Sequence, residues 1–280
     1  MPEVTPEPLL VPVIDSHCHL DVRDRELHGT TSPDPNQMLM LAASVGVTKV
    51  VQIGCDVESA RWSVEMAARH PDVIVGVALH PNEAPRIFTD QGQVGLDNAY
   101  LAIAELAAQD IVRAVGETGL DYYRTKGDLR SVQQESFRWH INLAKELSKA
   151  LVIHDRDSHE DVIAVLESEG APAKVVFHCF SGDAKMASYC AERGWFMSFA
   201  GVITFKNADS LRAALKVVPD DLVLVETDSP YLTPMPYRGK ANGSYLMPLT
   251  VRRMAEVRGV DEATMAKCLW DNTRRVFGVW

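Results

Sequence analysis

Cysteine is scarce: five in 280 residues, with no C-x-x-C pair. That excludes a disulfide-built scaffold and leads us to expect free thiols in a reducing cytoplasm. Long apolar runs are missing. A membrane span needs roughly 18 residues, and the longest strand-like runs, such as Val73 to Leu79, fall far short, so no membrane partner is expected. The opening stretch Met1 to Leu10 carries Glu3, Glu7 and several prolines but neither a basic n-region nor an apolar h-region, so no signal peptide is expected. A cationic excess is also lacking: 28 basic side chains face 38 acidic ones, a net charge of −10. A protein that coats nucleic acid by neutralising many phosphates is thereby excluded, although an enzyme with its positive groups confined to one cleft is not. Bound cations can offset part of the acidic excess. No strand-like run leads into G-x-G-x-x-G or a P-loop, so neither nucleotide-binding turn is present. Tandem repeats, low-complexity blocks and Gly/Ser linkers are absent too, and nothing points to an obligate protein partner.

The remainder is ordinary globular sequence, 46% hydrophobic and 24% charged, arranged as an alternation. Val/Ile-rich runs occur at Val11–Ile14, Lys49–Ile53, Val73–Leu79, Val112–Val115, Leu151–Ile153, Lys174–Phe177, Trp195–Phe199 and Leu222–Val225. Stretches with helical spacing separate them: Gln37–Ser44, Ser59–Arg69, Tyr100–Ala108, Ser131–Lys149, His159–Ser168, Ala184–Glu192 and Ser210–Lys216. Two further helices, near Leu246–Val257 and Glu262–Val276, close the chain. Strands alternating with helices pair in parallel, because each helix carries the chain back over the sheet. Eight such units in roughly 250 residues make a TIM (β/α)8 barrel, expected here as a single α/β domain over residues 1–280. A doubly wound open sheet is the alternative, but its glycine-rich turn is missing.

A barrel places its chemistry at the carboxyl ends of its strands. Those ends read Asp15-Ser16-His17-Cys18-His19, His80-Pro81, Gly116-Glu117-Thr118-Gly119-Leu120-Asp121, His154-Asp155-Arg156-Asp157, His178-Cys179-Phe180-Ser181-Gly182 and Glu226-Thr227-Asp228-Ser229-Pro230. Residues i and i+2 of a strand share a face, so His17 and His19 can point at one ion. Glu117, His154, His178 and Asp228 come from four other strands. Such a set exceeds what one catalytic zinc needs, since that ion keeps three protein ligands and an open position. Two divalent ions are therefore expected, with His17, His19 and Asp228 on one, His154 and His178 on the other, and Glu117 bridging. Two ions suit in-line displacement by an activated water, and Asp228 is placed to accept that water's proton. Imidazoles favour zinc, manganese or iron, and the carboxylates also admit magnesium, which holds histidine ligands poorly.

Asp15–Asp21, Gly116–Tyr122, His154, His178–Gly182 and Glu226–Leu232 together resemble the TatD family of metal-dependent deoxyribonucleases. The resemblance spans almost the whole chain in the right order. It implies a barrel of the amidohydrolase superfamily that hydrolyses DNA phosphodiester bonds, with 3′-end exonuclease action on single-stranded DNA. It also implies metal ligands at His17, His19, Glu117, His154, His178 and Asp228, with Glu226 close by. Asp228, Glu117 and Glu226 are thus the expected catalytic carboxylates. One departure stands out: family members often read Arg-Gly-Lys-x-Asn-Glu-Pro after the last strand, whereas Arg238-Gly239-Lys240-Ala241-Asn242 is followed here by Gly243-Ser244.

A phosphodiester needs donors near the ions, and Arg124, Arg156, Lys206, Arg238 and Lys240 lie in the rim loops, either as phosphate contacts or as solvated loop charges; His80 is either a further phosphate contact or a residue that caps a helix or supports a ligand. Arginine suits bidentate phosphate contact and lysine a point charge. Tyr122, Tyr123, Phe180 and Tyr231 either stack on unpaired bases or pack in the core. Asp121, Asp155 and Asp157 are expected to brace ligands or cap helices, and Cys18 and Cys179 to pack. His28, His70, His140 and His159 are expected as surface or helix residues. The alternative activity is hydrolysis of a C–N, lactone or phosphotriester bond on the same frame. Several such enzymes bridge their metals with a modified lysine where this chain has Glu117. A barrel kept only as a scaffold would leave six polar side chains uncompensated.

Overall fold

The computed structural model describes residues 5–22 and 34–280; His28 and the first four residues lie outside them. The strands are β1 (Val13–Cys18), β2 (Val47–Gly54), β3 (Val73–Val77), β4 (Val112–Asp121), β5 (Ala150–Arg156), β6 (Val175–Phe177), β7 (Phe196–Phe199) and β8 (Val223–Val225). Between and after them come α1 (Pro35–Ser44), α2 (Val57–Ala67), α3 (Glu83–Ala107), α4 (Leu129–Glu146), α5 (His159–Glu169), α6 (Ala184–Glu192), α7 (Asp209–Val217), α8 (Met247–Arg258) and α9 (Glu262–Phe277). The eight strands make one sheet whose hydrogen-bonded neighbours follow chain order, β1 to β8. Strand number, order and parallel pairing are those of a (β/α)8 barrel.

The chain groups into two compact units. One comprises the described residues up to Gln52 together with Gly182–Val279; here β1 pairs with β2 (Asp15 opposite Val50) and β7 with β8 (Phe199 opposite Val225). The Ser16 hydroxyl donates to the Val225 carbonyl at 2.8 Å and so ties β1 to β8. The other unit comprises Ile53–Ser181 with Trp280; here β3, β4, β5 and β6 pair in succession.

Every residue of β1, β3, β6, β7 and β8 is buried, as expected of strands covered on both faces. Side chains such as Ile153, Phe177 and Phe199 are almost fully enclosed, each contributing about 1.5–3 kcal/mol by leaving water. Helix starts follow local chemistry. The Asp56 carboxylate accepts from Ser59 N at 2.7 Å while Ser59 Oγ accepts from Asp56 N at 3.0 Å, a reciprocal cap on α2. Asp183 and Asp261 cap α6 and α9 in the same sense.

Several boundaries differ from the sequence reading. β1 begins at Val13 and runs on through His17, while β4 and β5 continue to Asp121 and Arg156. Glu117 and His154 therefore sit inside strands, because polar residues facing a shared cluster extend a strand without extending its apolar run. α3 begins at Glu83, well ahead of the expected Tyr100. Gly92, at φ 68°, kinks it and interrupts the apolar period.

Candidate metal centre

In the unit formed by Ile53–Ser181, the site is built on β4, β5 and the ends of β3 and β6. β4 and β5 lose register between Val115 and Thr118: three steps on β4 match two on β5, bulging the strand at Glu117. Bulges of this kind re-aim a side chain. Gly119 then pairs with His154. At φ +127°, a Cβ on Gly119 would come 2.2 Å from the His154 carbonyl oxygen, so only glycine permits this approach.

Glu117 is buried, and its Oε2 lies 2.7 Å from His178 Nε2 and 3.2 Å from His154 Nδ1. Its Oε1 accepts from Cys55 Sγ at 3.3 Å. Burial opposes its ionisation, but the charge of His178 and the hydrogen bonds from His154 and His178 outweigh this and hold it well below the usual carboxylate range. Asp121 braces the far side of His154, with Oδ2 3.4 Å from Nε2. Asn82 Nδ2 and Arg124 N fix that carboxylate at 2.9 Å each. Burial works against protonation of His154, but its hydrogen bonds to Asp121 and Glu117 raise its pKa.

His80 packs edge-on against His154, ring centroids 4.6 Å apart, and ligand atoms of His80, Glu117 and His154 all lie within 4.8 Å of one another. Asn82 N donates to His80 Nδ1 at 3.1 Å, which assigns the proton of the neutral ring to Nε2. Desolvation pushes its pKa down to about 3. His80 is thus a neutral hydrogen-bond donor beside the cluster.

In the other unit, His17 and His19 turn their Nε2 atoms to within 3.3 Å of each other. Asp228 Oδ1 lies 3.8 Å from His17 Nε2 and 3.4 Å from His19 Nε2. The segment after β8 is zipped to the end of β1: Asp228 N donates to the His17 carbonyl at 3.0 Å and His19 N to the Ser229 carbonyl at 2.8 Å. Asp15, fully buried, locks this segment by accepting from Thr227 N at 2.9 Å and Ser244 Oγ at 2.7 Å. Burial raises Asp15 to about 7 against those hydrogen bonds. Ser244 therefore does specific work in the loop where the sequence departs from the family pattern. Neighbouring Asn242 also holds the loop, donating to the Thr227 carbonyl at 3.0 Å. Glu226 is fully enclosed at the end of β8.

This donor chemistry fits divalent cations. Two nitrogens bound to one tetrahedral zinc at about 2.0–2.1 Å stand about 3.3 Å apart, the separation seen between His17 and His19. His17, His19 and Asp228 come together in one unit, and Glu117, His154 and His178 in the other. Arg124, Arg156, Lys206, Arg238 and Lys240 are all exposed. The Arg156 guanidinium lies 3.9 Å from the Tyr123 ring centroid and that of Arg238 4.5 Å from Phe205. Phe180 and Tyr122 are buried, whereas Tyr123 and Tyr231 are exposed.

The sequence reading missed the Asp15–Thr227–Ser244 lock, whose signal was the aspartate opening the His17 motif. It also missed the Cys55 contact, for which no signal existed. Asp155 accepts from Ser158 Oγ at 2.9 Å and lies 2.6 Å from His159 Nδ1, at the head of α5. Cys18 is buried, with Sγ on the Val51 carbonyl. His140, on α4, is a core residue. Among the described residues, no helix is long and apolar enough to cross a membrane.

Comparison with known proteins agrees with this frame. The family model described as TatD related DNase matches residues 14–278. The chain is 42% identical over 272 residues to a protein of Mycobacterium tuberculosis named uncharacterized metal-dependent hydrolase TatD, covering 95% of this chain and 98% of that one. It is 35% identical over 269 residues to the uncharacterized metal-dependent hydrolase YcfH of Escherichia coli K12, covering 95% and 96%. The crystal structure of YJJV, a TatD homolog from Escherichia coli, shares the fold with a TM-score of 0.82 at 24% identity, over 96% of this chain and 98% of that one. The chain belongs to the TatD related DNase family of metal-dependent hydrolases.

Proposed function

We propose that this chain is a divalent-metal-dependent deoxyribonuclease that shortens single-stranded DNA from its 3′ end. In this reading residues 1–280 work as one barrel domain, in a reducing cytoplasm consistent with free cysteines. The observation that carries the reading is the pair of donor clusters, His17–His19–Asp228 and Glu117–His154–His178. We assign the first cluster to one ion and the second cluster to another.

A divalent ion held there would supply Lewis-acid charge and lower the pKa of a bound water. The protein's own groups do the rest. Asp228 turns Oδ1 to both imidazoles and keeps Oδ2 to accept the proton of the attacking water. His80 donates from Nε2 to a phosphate oxygen and stabilises the charge that develops there. Glu226, enclosed at the end of β8 with a carboxylate oxygen within 4.8 Å of a His17 ring nitrogen, contributes negative charge beside that ligand. Arg124, Arg156, Lys206, Arg238 and Lys240 hold the phosphates on either side of the scissile bond.

The test is a single-stranded oligonucleotide labelled at its 5′ end and incubated with the protein and magnesium, manganese or zinc. Stepwise shortening from the 3′ end that EDTA abolishes is expected. Hydrolysis of lactones, amides or phosphotriesters without any DNA cleavage would overturn the reading in favour of small-molecule chemistry.

A further inference from the structure

Two adjacent tyrosines follow β4, and they have opposite surroundings. Tyr122 is 7% exposed; its hydroxyl donates to Asp161 at 2.6 Å and Arg130 covers its ring at 4.1 Å. It is part of the packing. Tyr123 is 56% exposed, and the Arg156 guanidinium is positioned 3.9 Å from its ring centroid. Among the described residues Arg156 makes no ion pair and no side-chain hydrogen bond, so its cation has only the ring as partner.

The strand register fixes where this pair stands. β4 and β5 align Gly119 with His154 and Asp121 with Arg156. Arg156 is therefore two residues beyond His154 on the same side of β5, about 6.6 Å further along the strand. Tyr123 lies two residues past Asp121, with exposed Arg124 beside it. A guanidinium packed on a ring keeps its N–H fork for a phosphate and offers a planar face for stacking. Unpaired bases in single strands stack on aromatic rings and on arginine planes. Bases within a duplex have no free face, and a small phosphoester brings no base.

We propose that Tyr123 and Arg156 form a stacking platform for an unpaired nucleobase next to the reacting centre. The inference rests on the nuclease reading and deepens it by naming what the rim recognises beyond the phosphate.

The experiment measures binding by fluorescence anisotropy with metal-loaded protein. Its probes are two phosphorothioate-linked single strands, one with intact bases and one abasic at its 3′-terminal positions. The wild type should bind the abasic strand about tenfold more weakly. Tyr123→Ala should bind the intact strand about tenfold more weakly and no longer distinguish the two, while Tyr123→Phe should match the wild type. Arg156→Lys keeps the charge but loses both the plane and the phosphate fork, so it should weaken intact-strand binding by a larger factor than abasic-strand binding. Equal affinities for both strands in the wild type, or full discrimination retained in Tyr123→Ala, would overturn the platform. A wild type that discriminates the strands yet cleaves no DNA would support the platform and overturn the nuclease reading. A wild type that neither binds nor cleaves would overturn both.

Discussion

Acidification tests how the core holds the metal-site rim. His140 of α4 is fully buried; its Nδ1–H donates to the Ser136 carbonyl at 2.7 Å and its Nε2 accepts from Leu79 N at 3.1 Å. The ring thus pins the residue beside His80, and it does so as a neutral imidazole. Burial depresses its pKa from 6.5 to about 4. The unfolded chain takes up a proton as pH falls below the ordinary value, whereas the folded chain resists until near 4. The stabilisation is therefore complete above about pH 6.5 and is lost as pH falls toward 4, about 2 kcal/mol between roughly pH 7 and 4.5. Urea unfolding at constant ionic strength across that range, comparing the wild type with His140→Gln, isolates this contribution, because glutamine can keep one donor and one acceptor without titrating. The variant should be less stable at neutral pH yet show a flatter decline by about 2 kcal/mol. Identical slopes in the two proteins would refute the assignment of a buried neutral imidazole at this position.

Three substitutions address the site itself. Glu117→Ala removes the carboxylate shared by His154 and His178, so metal content by mass spectrometry and DNA cleavage should fall together; full activity would remove it as a ligand. Asp228→Asn should lower kcat by about 100-fold or more while oligonucleotide affinity changes little, and an equal loss in both would argue against a proton-accepting role. Gly119→Ala forces a Cβ to within 2.2 Å of the His154 carbonyl oxygen. It should cost roughly 2 kcal/mol or more in thermal unfolding and weaken metal retention; a wild-type melting temperature would contradict the tight β4–β5 approach.

The legible parts of this protein were those encoded locally. Apolar runs at Val73–Val77 and Val223–Val225 declared buried strands, and histidines terminating such runs declared a rim. The first half of α3 was hidden because Gly92 and Gly95 interrupt the apolar spacing near its kink. The Asp15–Ser244 contact joins residues 229 positions apart and the Cys55–Glu117 contact residues 62 apart, so neither leaves a spacing pattern to read. The arginine–tyrosine pairs were divided into packing and platform only by burial: Tyr122 and Tyr123 are neighbours in sequence, and the structure buries one ring and exposes the other.

Anomalous diffraction from crystals of the protein loaded with zinc or manganese locates the ions. Two metal peaks per chain are expected, one ligated by His17, His19 and Asp228 and one by Glu117, His154 and His178. Absence of metal from these side chains, or peaks held by other residues, would contradict this assignment.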